Sequence, residues 1–276
     1  MHTEEMLTAW YPWLALGLGI FIGSFLNVVI YRLPIMMMRS VADEASQSDL
    51  PDVNLCWPPS HCPRCQQAVM PWDNIPLLSW LLLKGRCRYC KGTIPVIYPL
   101  SELFTGAVFF ALVSGYSPHF TLVQILFLAC FFCLVYTLAI IDINTLLLPD
   151  CLVYLVLWLG LAASVLNIIP VSPRDSVMGT ILIWCFTRLI AQGYVWIRRR
   201  EGLGGGDVKL YAACAAWLGV SHIAGLIVGS AVLGVLLFTL RGLLRFRRLP
   251  AADPCMPFGP AIAAAALLIL HMEVLR

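Results

Sequence analysis

Long apolar stretches dominate this chain, and shorter polar segments separate them. A helix needs about 20 mainly apolar residues to cross the hydrocarbon core of a membrane. Eight stretches predict membrane spans, near Trp10–Leu33, Pro99–Ser114, Thr121–Ile141, Asp150–Ile168, Val177–Ile197, Val208–Val220, Ile223–Leu243 and Pro257–Val274. The pattern therefore predicts an all-α polytopic membrane protein with about eight transmembrane helices. The sixth stretch is short and directly follows a run of glycines, so we expect that helix to start inside the membrane.

Composition supports the membrane interpretation. Hydrophobic residues make up 60% of the 276 residues and charged residues only 12%, whereas soluble domains carry about 25% charged residues. The net charge of +3 is mild and gives no reason to expect a nucleic-acid partner. Residues 1–9 contain no Lys or Arg, unlike the basic start of a secretory signal. We therefore expect the first apolar stretch to remain as a span.

The basic residues predict the orientation of the spans. With the N-terminus on the outer side of the membrane, fifteen of the eighteen Lys and Arg residues fall in segments on the opposite, cytoplasmic side. An excess of Lys and Arg marks cytoplasmic loops. The exceptions are Arg174, Arg276 and Arg188, and Arg188 lies in the middle of the fifth span. Its side chain either reaches along the helix towards the membrane surface or pairs with an acid.

One polar insert, residues 34–96, contains two matched cysteine pairs. The pattern is Cys62-x2-Cys65 followed by Cys87-x2-Cys90, which is typical of a closed structural zinc site with four thiolate ligands. Redox-active thiols are an alternative, but two evenly matched pairs favour a metal. In so small a domain, zinc would supply folding energy that a small core cannot. Four basic residues are placed to offset the thiolate charge: Arg64, Arg86, Arg88 and Lys91.

Acidic side chains next to the apolar stretches are the candidates for chemistry. Ionisable residues at membrane depth are costly and point to a functional site. Asp207 follows the glycines Gly204, Gly205 and Gly206 and precedes Lys209. The glycines would let a substrate backbone approach closely, and Lys209 adds positive charge. Two carboxylates at one site can activate water by sharing a proton, so Asp207 needs a partner.

Asp142 and Asp150 compete to be that partner. Asp150 precedes the fourth span, where capping the start of a helix would explain it. Asp142 ends a long apolar helix with no helix start nearby to cap, so we expect Asp142 and Asp207 to form the catalytic pair. A serine or cysteine nucleophile would need a nearby His, and no histidine lies in a span core opposite a suitable serine.

Several motifs together resemble the type IV prepilin peptidases. The similar segments are Gly23–Pro34, His61–Tyr98, Tyr98–Glu102, Asp142…Pro149-Asp150, Gly204-Gly205-Gly206-Asp207 and Pro257–Pro260, and they cover nearly the whole chain. Ser101 stands where that family usually has Val. The resemblance implies the same catalytic pair, Asp142 and Asp207. It also implies an aspartic endopeptidase of the bacterial inner membrane with its active site at the cytoplasmic face.

The resemblance further implies substrates and cofactors. Such an enzyme cleaves the basic leader of type IV prepilins or type II secretion pseudopilins after Gly. It then N-methylates the new terminus with S-adenosylmethionine. Residues 1–33 would be the first span, 34–96 a cytoplasmic zinc domain linked to methylation, and 97–276 the peptidase core. The alternatives are a peptidase without methyltransferase activity and a zinc-ribbon-bearing transporter that uses the aspartates as an ion relay. The polar residues Asn27 and Glu102, at span edges, either contact substrate or make tertiary hydrogen bonds.

Overall fold

The computed structural model describes residues 2–41, 53–116, 120–199, 202–244 and 257–274. Within these ranges the secondary structure is helical, and the only β pairings are two isolated bridges. The chain forms two compact units, residues 1–125 and 126–276. Five of the basic residues used to predict orientation lie outside the described ranges: Arg200, Arg245, Arg247, Arg248 and Arg276.

The first unit is built on two long helices, α1 (His2–Val41) and α3 (Ile97–Tyr116). Helix α1 continues through Pro34 and so extends beyond the predicted end of the first span. Glycines allow the two helices to pack closely: a Cβ on Gly19 would lie 2.8 Å from the Gly106 Cα, and one on Gly23 would lie 2.9 Å from the Glu102 Cα. Small residues at a helix crossing are a common basis of packing in membranes, where apolar burial gives little driving force.

The insert between α1 and α3 contains little regular structure. It has one 3₁₀ turn (Pro71–Asn74) and one short helix, α2 (Leu78–Leu82). A buried arginine of α1 holds its start: the Arg32 guanidinium donates to the carbonyls of Asn54, at 2.8 Å, and Pro58, at 2.6 Å. The insert is therefore attached to α1 by direct hydrogen bonds, and these replace part of the apolar core that it lacks.

The second unit contains six helices, which follow the order of the remaining predicted spans. They are α4 (Leu122–Thr145), which begins at the end of the first unit, α5 (Asp150–Val165), α6 (Pro173–Arg198), α7 (Gly205–Leu218), α8 (Ile223–Leu244) and α9 (Gly259–Val274). Helix α7 is the central element, because every residue from Leu210 to Leu218 is buried. Helices α5, α6 and α9 pack directly against it.

Close packing around α7 depends on small residues of its neighbours. Trp217 is fully buried and donates its indole N–H to the Val156 carbonyl at 2.9 Å. Its ring lies against Gly160 of α5, where a Cβ would approach the ring to 2.6 Å. On the other side, the Ser176 hydroxyl of α6 donates to the Ala216 carbonyl at 2.6 Å. These contacts fix α7 between α5 and α6.

Five helical segments are long and apolar enough to cross a membrane: Trp10–Ser40, Ile97–Gly115, Leu122–Thr145, Pro173–Arg198 and Val220–Leu240. Two shorter apolar helices, Asp150–Val165 and Gly259–Glu273, coincide with predicted spans. The structure confirms an all-α polytopic membrane fold, and the number of eight spans stays a prediction. Arg188 is exposed on α6 among exposed apolar side chains. No ion pair joins it to an acid within the described part of the chain, and the direction of its side chain stays a prediction.

Candidate active site

Asp142 lies near the C-terminal end of α4 and is buried, with 5% of its surface exposed. Its Oδ2 accepts a hydrogen bond of 2.8 Å from the amide of Gly259, the first residue of α9. The prediction that Asp142 has no helix start to cap is therefore wrong. The N-terminus of a helix attracts negative charge, because its first amides have no partner within the helix. This contact holds the carboxylate in one position.

Asp207 lies in the first turn of α7 and is partly buried. Its carboxylate accepts a hydrogen bond from the backbone amide of Gly204, the residue that caps the same helix. This geometry resembles the carboxylate half of a capping box, in which an acid in the first turn reaches back to the cap residue. Asp207 is therefore also fixed by the N-terminus of a helix.

The two carboxylates are close enough for the charge of Asp142 to act on Asp207. They come from α4 and α7, and the amides that hold them come from α9 and from α7 itself. The structure therefore brings the predicted pair together within the second unit. Such an arrangement suits acid–base chemistry, since neighbouring carboxylates can differ in protonation at one pH.

The three glycines before Asp207 have different surroundings. A Cβ on Gly204 would lie 3.2 Å from the Asp207 Oδ2, and one on Gly206 would lie 3.0 Å from the Leu148 Cβ. At Gly205 nothing lies within 4 Å of a Cβ. Gly204 and Gly206 are therefore closely packed inside the protein, and Gly205 is the one of the three glycines with open space around it.

Lys209 has a partner that sequence reasoning did not foresee. Its Nζ lies 2.8 Å and 2.7 Å from the two carboxylate oxygens of Asp150 and 5.9 Å from the centre of the Tyr154 ring. The predicted capping role of Asp150 is wrong, because Pro149 occupies the cap position of α5 and Asp150 is the first helical residue. Asp150 therefore links α5 to α7, and Lys209 is largely neutralised rather than free.

Asn27 and Glu102 belong to the first unit, where both make tertiary hydrogen bonds. The buried Glu102 carboxylate accepts from the Leu77 amide at 2.8 Å. The Asn27 side-chain amide donates to the Tyr98 carbonyl at 3.3 Å. These contacts tie the insert to α3 and α3 to α1. Packing and tertiary bonding account for both residues, and a contact with substrate is not needed to explain them.

The four paired cysteines meet at one point, as predicted. Their Sγ atoms all lie within 4.8 Å of one another, and the Cys62 and Cys90 sulfurs are 3.7 Å apart. Zinc–sulfur bonds of about 2.3 Å in a tetrahedron place the sulfurs at nearly this separation. The two pairs adopt the same turn, since the residue after each second cysteine, Gln66 or Lys91, has a positive φ. The donor set and its geometry fit a closed four-thiolate site.

The backbone around the cluster prepares the sulfurs for a cation. Amides of Cys65 and Arg64 lower the pKa of the Cys62 thiol to about 6, and the thiolate is the form that binds metal. The Gln67 amide also lowers the pKa of Cys65, but burial and the neighbouring thiols outweigh it and raise that pKa to about 11. Four such groups cannot all ionise together without a positive ion between them.

Arg88 is not free to offset the thiolate charge as predicted. Its guanidinium binds the Asp73 carboxylate through two hydrogen bonds of 2.6 Å. This bidentate pair lowers the pKa of Asp73 and fixes the 3₁₀ turn against the second cysteine pair. Arg64 lies near the cluster, because a Cβ on Gly92 would lie 3.0 Å from the Arg64 Cδ and 3.3 Å from the Cys90 Sγ.

Comparison with known proteins identifies the family. Residues 18–116 match the bacterial peptidase A24 N-terminal domain, and residues 129–239 match the type IV leader peptidase family. A prepilin leader peptidase/N-methyltransferase of Pectobacterium carotovorum subsp. carotovorum is 42% identical over 98% of this chain and 96% of its own length. The chain belongs to the type IV leader peptidase family. The two matched regions fall within the two structural units, one in each.

Other members of the family align over nearly the same length. The prepilin leader peptidase/N-methyltransferase of Dickeya chrysanthemi is 39% identical over 94% of this chain and 91% of its own length. A type 4 prepilin-like proteins leader peptide-processing enzyme of Escherichia coli O78:H11 is 33% identical over 96% of this chain and 95% of its own length. No solved structure gives a significant match to the chain.

Gly259 is the site residue that sequence reasoning missed. The segment Pro257–Pro260 contributes to the family resemblance, which implies no role for any of its residues. Its glycine lies against Asp142, because a Cβ at Gly259 would come within 2.9 Å of the carboxylate Oδ2. The signal in the sequence is Phe258-Gly259-Pro260 at the start of an apolar helix, where an unpaired helix amide is available.

Proposed function

We propose that this chain is a membrane aspartic endopeptidase that cleaves the leader of prepilins or pseudopilins and then methylates the new N-terminus. The observation that carries the catalytic assignment is the pair of carboxylates, Asp142 and Asp207, each bound by an amide at the N-terminus of a helix. Relatives named for both activities align over almost the whole chain, which supports the pairing of cleavage with methylation.

The proposed cleavage needs no covalent intermediate. One carboxylate of the pair takes a proton from a water molecule, and that water forms a bond to the carbonyl carbon of the scissile peptide. The other carboxyl donates its proton to the carbonyl oxygen, which gives a tetrahedral intermediate. Collapse of the intermediate breaks the C–N bond, and the leaving amine receives a proton from the pair. The helix amides hold both side chains in place, so little reorganisation is needed.

Zinc and S-adenosylmethionine are assigned separate tasks in this proposal. The thiolates of Cys62, Cys65, Cys87 and Cys90 hold a structural Zn²⁺, which supplies folding energy to residues 34–96. No fifth donor lies among the clustered metal-ligating groups of the described residues. S-adenosylmethionine supplies the methyl group for the new N-terminal amine, and the insert is the region we assign to methylation.

The proposed location is the inner membrane of a bacterium, with the aspartate pair and the insert on the cytoplasmic side. The apolar helices fit a bilayer, and the asymmetry of Lys and Arg supports the orientation. Cys56 is exposed in the insert, so a thiol reagent that cannot cross membranes should label it in inside-out vesicles. Labelling of Cys56 in intact right-side-out vesicles would contradict this orientation; a Cys56→Ser variant supplies the background.

The aspartyl mechanism is tested by incubating the purified protein with a precursor that carries a basic leader. Asp142→Asn and Asp207→Asn should each lower kcat by roughly 10³-fold or more, because the pair acts as a unit. Asp150→Asn is the matched control: it removes a carboxylate beside the same helix without touching the pair, and it should retain most of the activity.

Methylation is read separately, as the mass of one methyl group on the product's N-terminus. Product from the wild-type enzyme should carry that mass when S-adenosylmethionine is present.

Full cleavage by either Asp142→Asn or Asp207→Asn would refute the catalytic pair. Cleavage without any methylation would instead support a peptidase that lacks the second activity.

A further inference from the structure

Helix α2 of the insert presents a row of exposed leucines. Leu78, Leu81 and Leu82 are 57%, 62% and 81% exposed. Residues three and four positions apart lie next to one another on a helix, so the three side chains form one surface, which we call the leucine face. Outside a membrane span, contiguous apolar surface of this kind marks a site of contact with a protein or with a membrane. The leucine face therefore needs a partner outside the insert.

The opposite side of α2 is already packed against the insert. The half-buried Trp80 donates its indole N–H to the Ile94 carbonyl at 3.2 Å, and a Cβ on Gly85 would lie 2.8 Å from the Trp80 ring. The buried Ser79 hydroxyl donates to the Trp72 carbonyl at 2.8 Å. These contacts fix which side of α2 points inwards, so the leucine face cannot turn into the insert without breaking them.

The start of α2 is held beside a helix that is long and apolar enough to cross the membrane. The Leu77 amide, directly before α2, donates to the buried Glu102 carboxylate of α3 at 2.8 Å. Glu102 lies five residues inside the candidate span Ile97–Gly115, about 7.5 Å along the helix axis. A helix that lies in the membrane interface is buried by about 5–10 Å. The hydrogen bond to Glu102 therefore puts the start of α2 at the boundary between headgroups and acyl chains.

Basic residues follow α2 directly. Lys84 and Arg86 are exposed, and neither forms an ion pair with an acid within the described residues. Arg88, in contrast, is neutralised by Asp73. Lys and Arg next to a membrane surface are attracted by anionic headgroups, and an apolar face beside basic residues is typical of helices that lie in the interface. The charges therefore favour a membrane over an apolar protein surface as the partner.

We propose that the leucine face of α2 inserts into the lipid interface and holds the insert against the membrane, with Lys84 and Arg86 bound to anionic headgroups. The insert is then attached at two places. Arg32 of α1 binds its start, and the leucine face holds the segment between the two cysteine pairs. The proposal requires that α3 crosses the membrane and does not depend on the catalytic assignment. The alternative partners, the second unit and the apolar segment of a precursor, are outcomes of the test.

Photo-crosslinking of the full chain in vesicles identifies the partner of the leucine face. A photoreactive benzoylphenylalanine takes the place of Leu82, the most exposed of the three leucines. The protein is reconstituted in vesicles of phosphatidylethanolamine and phosphatidylglycerol and irradiated, and mass spectrometry identifies the molecule attached at this position. Benzoylphenylalanine in place of Gln67 is the control, because Gln67 is exposed but belongs to the turn of the first cysteine pair. A melting temperature in detergent equal to that of the wild type shows that each variant is folded.

The Leu82 position should carry phospholipid, and the Gln67 position should not. The adducts should contain phosphatidylglycerol about 5-fold more often than its share of the vesicle lipid, which is the effect of one Lys or Arg at a membrane surface. Lys84→Gln combined with Arg86→Gln should remove this enrichment and keep the lipid adducts.

Three results would overturn the proposal. The first is a cross-link from the Leu82 position to the second unit or to an added precursor in place of lipid, or no lipid adduct at all. The second is an equal yield of lipid adducts at the Leu82 and Gln67 positions, because the contact would then not belong to the leucine face. The third is an enrichment of phosphatidylglycerol that is absent from the start or survives the double substitution, because Lys84 and Arg86 would then not bind the headgroups.

Discussion

The carboxylates of Asp142 and Asp207 are placed by backbone amides and not by other side chains. One amide belongs to Gly259 at the start of α9 and the other to Gly204 at the start of α7. A backbone donor at a helix start cannot change rotamer. The position of Asp142 is therefore fixed by where α9 begins beside it, and the position of Asp207 by the first turn of its own helix. Glycine is needed at both places because a side chain would occupy the space next to the carboxylate oxygen.

Gly259→Ala should damage catalysis more than folding. The new Cβ would lie 2.9 Å from the Asp142 Oδ2, so the carboxylate must move by several tenths of an ångström. A misplacement approaching 1 Å costs about 100-fold in rate, and we expect a loss in kcat on that scale. Gly225→Ala serves as the control, since its Cβ meets only an ordinary contact of 3.6 Å. Equal kcat for the two variants would show that the Gly259 contact does not position Asp142.

Gly205→Ala tests whether this glycine is required for substrate binding or for stability of the fold. No atom lies within 4 Å of a Cβ at Gly205, whereas a Cβ at Gly206 meets the Leu148 side chain at 3.0 Å. We expect Gly205→Ala to keep the melting temperature of the wild type and to raise KM, because the methyl group would stand in the space left for a substrate backbone. Gly206→Ala should lower the melting temperature. A Gly205→Ala enzyme with normal KM would rule out close approach at this residue.

At the scale of elements, α7 organises the second unit. It is short, buried on all sides and rich in alanine, and its first turn carries Asp207. Helix α5 holds both ends of α7. Lys209, near the start of α7, pairs with Asp150 of α5, and Trp217, near the end of α7, packs against Gly160 of α5. The Lys209–Asp150 pair is partly exposed, so it contributes little stability, and the contacts of Trp217 are the stronger anchor.

Gly160→Ala should destabilise the second unit through this anchor. The Cβ would come within 2.6 Å of a Trp217 ring that is fully buried and bonded to Val156, and overpacking of this kind costs about 1–3 kcal/mol. Gly193→Ala on α6 is the matched control, because nothing lies within 4 Å of its Cβ. There the helix should gain up to about 1 kcal/mol from the higher helix propensity of Ala. Thermal unfolding in detergent compares the two, and opposite signs are expected.

At the scale of the whole molecule, the chain combines two units with different sources of stability. The second unit is a set of apolar helices packed around α7. The first unit joins α1 and α3 through glycine contacts and carries an insert with few buried apolar residues. In that insert the four cysteines, the Arg88–Asp73 pair and the hydrogen bonds of Arg32 replace an apolar core.

Removal of one thiolate should therefore unfold the insert and leave the second unit intact. Cys87→Ser removes one of the four ligands and is expected to abolish binding of about one Zn²⁺ per chain. The insert should then unfold, since a structural site contributes about 10–16 kcal/mol of apparent folding energy. Residues 53–96 should then become sensitive to protease, and methylation should fall more than cleavage. Cys56→Ser is the control, because Cys56 is exposed and outside the cluster. Zinc content equal to that of the wild type would contradict the assignment.

The sequence by itself determined the helices, the paired cysteines and the two aspartates. Each is a local pattern: apolar runs of the length of a membrane, two Cys-x2-Cys turns at matched spacing, and acids placed where burial is costly. The helix bounds of the structure follow the predicted spans closely, except for α1, which begins before Trp10, at His2, and continues through Pro34 to Val41. That extension could not be read locally, because a proline usually ends or kinks a helix.

Only the tertiary structure decided which amide holds Asp142 and which charge faces Asp150. Gly259 donates to Asp142 across 117 residues, and Lys209 reaches Asp150 across 59. Such contacts arise when separate helices pack, and no periodicity within one helix encodes them. The same reason explains why the capping role of Asp142 was not predicted: a single sequence shows where α9 begins, but the partner of its first amide lies on another part of the chain.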